Sequence, residues 1–403
     1  MSEQLPSLWL KKGEDRRLRS GHLWVFSNEV DNERSALKAF TPGQVALLRD
    51  HADRALGTVY VNPHSLICAR LMSRDPRRVL GQSLLEDRLR QALALRERLC
   101  ETPCYRLVHG DGDGLSGLII DRYGDTCVIQ PNTAGMEQAL EALIAALRAT
   151  VRPSHILIRA DSPMRQLEGL DRYQRWVDGT GPELLELTEN GVRFQVGSQD
   201  AQKTGWYYDH RASRARLADH VRGRRVLDVF SYVGAWGVQA LAAGASSATC
   251  VDSSAAALDR ASGNAALNGL DAALTTIEGD AFTVLQALRE ERQHYDVVIV
   301  DPPAFVKRKK DLKKGLGGYR RLNQLAMQVL AKGGTLISAS CSSHVTADAL
   351  LQEILAAARH LDRSLQVIET GQQAPDHPVH PAIPESRYLK TWFCRVLPAW
   401  EMP

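Results

Sequence analysis

Residues 224–237, R-R-V-L-D-V-F-S-Y-V-G-A-W-G, constrain this chain more than any other stretch. Residues 226–229 form a short apolar run suited to a central parallel strand, and residues 231–237 turn sharply into a helix. The next strand, A-T-C-V-D at 248–252, ends in a carboxylate 24 residues after Asp228. A Rossmann-type fold places its ribose-binding acid at about that separation. The pattern predicts a nucleoside cofactor lying across the turn.

Which nucleoside follows from a departure. A dinucleotide site carries Gly-x-Gly-x-x-Gly so that a pyrophosphate can approach the helix N-terminus. This turn has only Gly234 and Gly237, and Phe230, Ser231 and Tyr232 stand where bare backbone is needed. An adenosine cofactor without phosphates, S-adenosylmethionine, therefore fits better than a nicotinamide dinucleotide. Asp252 would take the ribose hydroxyls and Asp280 the adenine amino group; for each acid alone, a solvated strand end is the alternative. Just upstream, Q-K-T-G-W-Y-Y-D-H-R at 202–211 runs into a helix expected to be capped near Asp209 and to continue to about Val221, with Arg211 available to a cofactor carboxylate.

From residue 226 onward strands and helices alternate, which predicts a parallel sheet with helices on both faces and ligands outside the carboxyl ends of its strands. Strands are expected at 226–229, 248–252, 274–277, 296–300 and 335–340, and two late ones near 366–369 and 389–397 should pair as an antiparallel edge. The run 297–300 leads into D-P-P-A-F at 301–305. Two prolines cannot continue a strand, and they stiffen backbone where a flat base must be held. Asp301 can accept from an exocyclic amine or ring nitrogen. The next strand ends in S-A-S-C-S-S at 338–343. In strand order 3-2-1-4-5 it is the neighbour of the strand before Asp301, so Cys341 shares its pocket. A thiol added to carbon 6 of cytosine makes carbon 5 able to attack a methyl group, which gives Cys341 a covalent role. Between these motifs, residues 307–321 hold eight cations against one anion, Asp311. That charge points to nucleic-acid backbone, and Gly315, Gly317 and Gly318 to a loop that moves until substrate binds, ahead of a helix at about 316–331.

With 403 residues the chain exceeds one core, and three domains are expected, at 1–76, 77–182 and 183–403. The first is β-rich and arranged as a small barrel. Lys11, Lys12, Arg16, Arg17, Arg19 and His22 crowd between its first two strands, where gripping phosphates and a solvated charged face are equally open readings. The second reads as α+β, with a helix at 79–99, a β-meander, a helix at 136–148 and a strand at 156–159; its Asp-rich turn at 110–114 lacks the spaced ligands of a calcium loop. The third opens on a hairpin around Asn190-Gly191. Seven scattered cysteines without CxxC pairs indicate free thiols rather than disulfides or zinc, and a net charge of +3 says little by itself. No uninterrupted apolar window suits a membrane span, and no secretory pattern opens the chain, so a cytoplasmic location without membrane or metal is expected.

Together, L10-K-K-G with Arg16-Arg17, G21-H-L-W-V-F-S-N-E-V, Q202-K-T-G, D228-V-F-S-Y, D301-P-P-A-F and S340-C-S resemble, over nearly the whole chain, the large-subunit (23S) ribosomal RNA cytosine-5 methyltransferase family. The resemblance implies an α/β, Rossmann-like class I methyltransferase sheet at the C-terminus, preceded by a small β-barrel of PUA type and an α+β linking domain. It implies Cys341 as nucleophile. With the motif reading above, catalysis is expected from Cys341 and Asp301, and S-adenosylmethionine is expected to be held by Tyr208, Arg211, Asp228, Phe230, Ser231, Tyr232, Gly234, Asp252, Ser253, Asp280, Asp301 and Pro302. RNA contacts are expected from Lys11, Lys12, Arg16, Arg17, Lys307, Arg308, Lys309 and Lys310, with ribosomal RNA as partner and a homodimer left open. The chain departs from other RNA cytosine-5 enzymes in carrying Pro303 and Ala304 where they place a second cysteine, so the base that removes the carbon 5 proton is unassigned. A guanine N-methyltransferase, which needs no thiol, and a non-catalytic RNA-binding assembly factor are the rival readings.

Overall fold

Short aliphatic and β-branched runs separated by Gly, Asn and Asp build the first sheet. In this computed structural model, which describes residues 5–399, they are β1 (Ser7–Trp9), β2 (Trp24–Phe26), β3 (Gln44–Arg49), β4 (Ala55–Val61) and β5 (Ile67–Ser73), in the order β1-β3-β4-β5-β2. An antiparallel bridge between Leu10 and Val30 ties the chain beyond β1 to the chain beyond β2 and closes a small barrel. Leu8, Val25, Leu48, Val59 and Leu71 fill it. The basic segment forms a single turn, α1 (Arg16–Arg19).

The α+β part follows as α2 (Gln82–Leu99), β6 (Cys104–His109), β7 (Leu118–Tyr123), β8 (Thr126–Pro131), α3 (Ala134–Gln138), α4 (Leu140–Thr150), β9 (His155–Ala160) and β10 (Tyr173–Trp176), with sheet order β10-β9-β8-β7-β6. Its Asp-rich turn is used internally. Asp113 takes both terminal nitrogens of the buried Arg96 at 2.5 and 2.7 Å, and Asp111 accepts from Trp24 Nε1 at 3.0 Å. Tyr60 of β4 lies in the same hydrophobic cluster as α2 and α4, and its hydroxyl donates to Ser116 O at 2.7 Å. Barrel and α+β layer therefore share a core. The chain divides into two compact units: residues 5–185 with Gly197–Trp206 and Pro375–Ser386, and Glu186–Val196 with Tyr207–Ala374 and residues 387–399. Residues 375–386, which the sequence reading leaves with the third domain, are anchored in the first unit by Asp376, whose carboxylate accepts from Arg106 N at 3.0 Å and whose carbonyl accepts from Arg96 at 2.7 Å.

The hairpin β11 (Leu184–Glu189) and β12 (Val192–Gly197) turns at Asn190 and Gly191, both at positive φ (52° and 79°), as an Asn-Gly type I′ turn requires. The expected long helix after it is a correction. The chain makes a 3-10 turn at Tyr208–His210, the short α5 (Arg211–Ala215) and another 3-10 turn at Arg216–Asp219. Asp209 does not cap; its carboxylate accepts from Tyr388 Oη at 2.6 Å instead.

Then come β13 (Arg225–Val229), α6 (Ala235–Ala242), β14 (Ser247–Asp252), α7 (Ala255–Leu267), β15 (Leu274–Glu278), α8 (Ala281–Glu290), β16 (Tyr295–Val300), α9 (Leu312–Gln328), β17 (Leu330–Ser340), α10 (Ala347–His360), β18 (Arg363–Gln372) and β19 (Lys390–Pro398). The sheet order is β15-β14-β13-β16-β17-β19-β18, parallel through β17, with β19 antiparallel to both its neighbours. Along β16, Val297 and Ile299 enter the cluster around Trp236 and Leu241, while Val298 and Val300 enter the one around Leu322 and Ile354. This two-sided burial is why the strand reads as a continuous apolar run. Residues 312–318 also correct the sequence reading, being helical rather than a loop. Gly315 is there because a Cβ would come 3.1 Å from Phe305 O and overlap Val306, and Gly318 because it would come 3.2 Å from the Phe305 ring.

Candidate active site

The cofactor turn is built under strain. Phe230 and Tyr232 both adopt positive φ, 67° and 49°, without being glycine, a cost of about 1–3 kcal/mol each that the surroundings must hold. Val251 O accepts from the backbone of Phe230 and Ser231 at 2.9 and 3.0 Å, and Asp252 Oδ2 accepts from Tyr232 N at 2.9 Å. Gly234 lets α6 pack close to α7, since a Cβ would come 2.9 Å from that of Ala261. Asp228 is fully buried and braces the turn, Oδ2 accepting from Gly237 N at 2.9 Å. Burial pushes its carboxyl up to about 7. Tyr208 is likewise fully buried, and Arg211 lies 3.5 Å from Glu189 and over the Tyr208 ring.

The remaining residues of the turn fit an adenosine. Each oxygen of the half-buried Asp252 accepts one backbone N–H, from Tyr232 and from Ser254 at 3.0 Å, which orients the carboxylate and leaves lone pairs for a pair of hydroxyls. Ser253 beside it is exposed. Asp280 caps α8, Oδ1 accepting from Phe282 N and Thr283 N at 3.1 Å, and is exposed at the end of the loop after β15.

At the carboxyl end of β16, Asp301 Oδ2 is 3.1 Å from His210 Nε2 and accepts from Trp236 Nε1 at 3.2 Å. Burial would raise this carboxyl, but the His210 charge and hydrogen bond, with the Trp236 donor, hold it below the usual carboxylate range. Burial pulls His210 down in turn, and Asp301 more than offsets it, so the imidazole stays raised. Asp301 is thus an ionised acid with one oxygen committed. Pro302 is buried after it.

The neighbouring strand end carries the thiol. Val300 pairs with Ser338, so Asp301 and Cys341 leave adjacent strands at the same edge of the sheet. Cys341 is half-buried, whereas Cys68, Cys104, Cys127, Cys250 and Cys394 are buried. Polar groups flank it: Ser340 Oγ donates to Tyr319 Oη at 2.8 Å, the same hydroxyl lies 3.2 Å from Ser342 Oγ, and Ser342 Oγ accepts from Val306 N at 3.3 Å. The last bond links the chain after Asp301-Pro-Pro to the chain after Cys341. Tyr207 packs edge-on to Tyr232 at 5.8 Å. Burial first, then Tyr232, Asp209, Cys341 and Asp301, raise its hydroxyl, so Tyr207 spans the distance between cofactor turn, acid and thiol.

Sequence reasoning missed His210, Trp236, Tyr207 and Lys390. The first and third lie in the stretch it singled out, but a 3-10 turn in place of a helix changes which side chains face the pocket. Among the cations, Lys12, Arg16, Lys307, Lys309 and Lys310 are exposed. Arg308 pairs with Asp311 at 3.2 Å, and Lys11 donates to Asn28 O at 2.8 Å. Arg17, still partly exposed, pairs with Glu29 at 2.7 Å and stacks 4.6 Å over Phe26. No group of His, Cys, Asp or Glu suited to a metal occurs among the described residues, and no described helix is long and apolar enough to cross a membrane.

A strained turn, an oriented strand-end acid and two motif-bearing loops at one edge of a Rossmann-like sheet are the architecture of a class I methyltransferase. The S-adenosylmethionine-dependent methyltransferase family model matches residues 132–390, and a PUA-like domain model matches residues 8–74. A solved SAM-dependent methyltransferase from Streptococcus mutans shares the fold, with a TM-score of 0.80 at 24% identity over 97% of this chain and 100% of that one. A methyltransferase solved in complex with SAH does so at 0.82 and 23%, with the same coverage. The chain is an S-adenosylmethionine-dependent methyltransferase with an N-terminal PUA-like domain. "Ribosomal RNA large subunit methyltransferase I" of Klebsiella pneumoniae (strain 342) is 39% identical over 398 residues, 97% of this chain and 98% of that protein. The protein of that name from Escherichia coli O157:H7 is 39% identical over 396 residues, 97% and 99%. The chain belongs to the ribosomal RNA large subunit methyltransferase I family.

Proposed function

We propose that this enzyme methylates carbon 5 of a cytosine in 23S ribosomal RNA through a covalent adduct with Cys341. The observation that carries the reading is the placement of a half-buried thiol among serine and tyrosine hydroxyls, on the strand next to Asp301-Pro-Pro. The names of the relatives support ribosomal RNA as substrate. Asp252, Ser253 and Asp280, with the backbone of Phe230 to Gly234, would hold S-adenosylmethionine, which supplies an electrophilic methyl group. Asp301, kept ionised by His210 and Trp236, accepts a hydrogen bond from the cytosine amino group through the oxygen those two leave open, and Pro302 and Pro303 fix the loop that carries it. The Cys341 sulfur adds to carbon 6 and turns carbon 5 into a nucleophile; loss of the carbon 5 proton then expels the thiolate. Lys12, Arg16, Lys307, Lys309 and Lys310 contact phosphates, and the PUA-like domain binds RNA.

Mass mapping of methylated bases in ribosomal RNA from cells lacking the protein tests substrate and chemistry together: one cytosine should lose its methyl group. Cys341→Ala should abolish transfer in vitro. Turnover retained by that variant would refute the covalent route in favour of direct amine methylation.

A further inference from the structure

β19, the last strand in the sequence, lies inside the sheet against β17, and its first residue, Lys390, pairs with Ser340, the residue before Cys341. A lysine at this position is unusual because only 8% of it is exposed; buried lysines need partners or a task. Its Nζ donates to Ser342 O, one residue beyond Cys341, and to Tyr388 O at 2.9 Å. An ammonium has three protons. Two carbonyls therefore fix Nζ from both sides, one of them on the turn that carries the thiol, and the third N–H remains for the pocket.

We propose that Lys390 is the positioning residue that sets the ionisation of Cys341, holding its sulfur as a thiolate in an ammonium–thiolate pair. This rests on the covalent reading for its catalytic meaning, though not for its measurement. The proton leaves Sγ for the neutral fraction of the Lys390 amine: the S–H bond breaks, an N–H bond forms, and the pocket's net charge does not change. When the thiolate is later expelled from carbon 6, it returns to the same ammonium. Burial lowers the Lys390 ammonium to about 8, partly countered by Cys341, which puts the amine in the range where it can exchange a proton with a thiol near neutral pH. From the other elements, Tyr207 and Tyr319 lie close enough to feel the sulfur's charge. Burial raises both hydroxyls, so neither supplies charge, and Lys390 brings a positive one.

The test is alkylation of Cys341 by iodoacetamide in the full-length protein, followed peptide by peptide by mass spectrometry across neutral pH, with S-adenosylmethionine binding as the control for fold. Lys390→Met should move the midpoint of the profile up by at least about one pH unit, a loss of roughly tenfold in reaction rate at neutral pH, and Lys390→Arg should restore most of it. Should Lys390→Met fail to bind S-adenosylmethionine, Lys390→Gln, which keeps a donor for the carbonyls without the charge, takes its place in the comparison. A neutral variant whose profile overlies that of the wild type overturns the proposal. Alkylation needs neither RNA nor methyl transfer, so a Cys341→Ala enzyme that still methylates would remove the covalent reading while leaving the ion pair measured. An unshifted profile beside an inactive Cys341→Ala would remove only Lys390.

Discussion

Two glycines of α9 differ in what surrounds them and should respond oppositely to the same substitution. Alanine in place of glycine within a helix gains about 1 kcal/mol in propensity. Gly317 is exposed, and a Cβ there would meet nothing within 4 Å, so Gly317→Ala should stabilise the methyltransferase unit by about that amount. At Gly315 the added carbon would overlap Val306 Cγ2 and press on Phe305 O from 3.1 Å. Both neighbours belong to the loop after Asp301-Pro-Pro, whose Val306 N is bonded to Ser342, so they cannot swing into solvent. Overpacking costs about 1–3 kcal/mol, and an overlap as close as the one with Val306 Cγ2 belongs to the upper half of that range, so after the helix gain of about 1 kcal/mol Gly315→Ala should be destabilised by roughly 1–2 kcal/mol. For a unit of this size each kcal/mol shifts the midpoint by about 2–4 °C, so the two variants should melt on opposite sides of the wild type. Gly315→Ala should also lower kcat, because the loop it displaces carries Asp301, while Gly317→Ala should not. A Gly315→Ala protein that melts at or above the wild-type temperature refutes the reasoning.

Asp228 is fully buried and its folded value, about 7, lies above the unfolded one, so the folded state holds its proton longer and this group's contribution to stability falls as pH rises from about 4 to 7. In Asp228→Asn that contribution is absent, so the melting difference between variant and wild type should shift in the variant's favour across that window; a pH-independent difference would count against it. The Asp301–His210 pair behaves differently. Asp301 is depressed, so its contribution is present above the unfolded carboxylate value and lost in acid, and His210 is raised, so its contribution is present below about 6.5 and lost as pH rises through its folded value. His210→Ala should cost about 2–3 kcal/mol at neutral pH, since it takes the charge partner from a largely buried carboxylate that keeps its Trp236 donor, and a variant that unfolds as the wild type does in denaturant would contradict that. Replacing Lys307, Lys309 and Lys310 with alanine should weaken RNA binding and flatten its logarithmic salt dependence by about 2–3, leaving S-adenosylmethionine affinity unchanged; an unaltered slope would place the RNA elsewhere.

The parallel sheet was legible because its strands are buried on both faces and its helices repeat between them, which fixes order as well as existence. The strand-end residues Asp252, Asp301 and Cys341 were legible for the same reason: topology brings the ends of successive parallel strands to one edge. Asp228, Tyr208 and Arg211 are expected at the cofactor from their position in a motif, and position does not reveal the partners that each side chain has within the protein. Asp228 faces Gly237, and Arg211 faces Glu189. The glycines of α9 look like a flexible loop in sequence, because propensity counts their freedom and cannot see Phe305 packed against Gly315 and Gly318. Lys390 carried no signal at all. It stands 49 residues beyond Cys341, and only the insertion of an antiparallel strand between β17 and β18 brings the two together.

That insertion has a temporal side. β17 has one edge covered by β16 as soon as both are made, but its other edge waits for residues 390–398, synthesised after β18. Until they emerge from the ribosome, β18 has no partner in the sheet, and β17 exposes a row of unpaired backbone groups beside the thiol. A nascent chain halted before residue 390 should therefore hold its cofactor turn but lack a finished catalytic edge, and should be prone to self-association there.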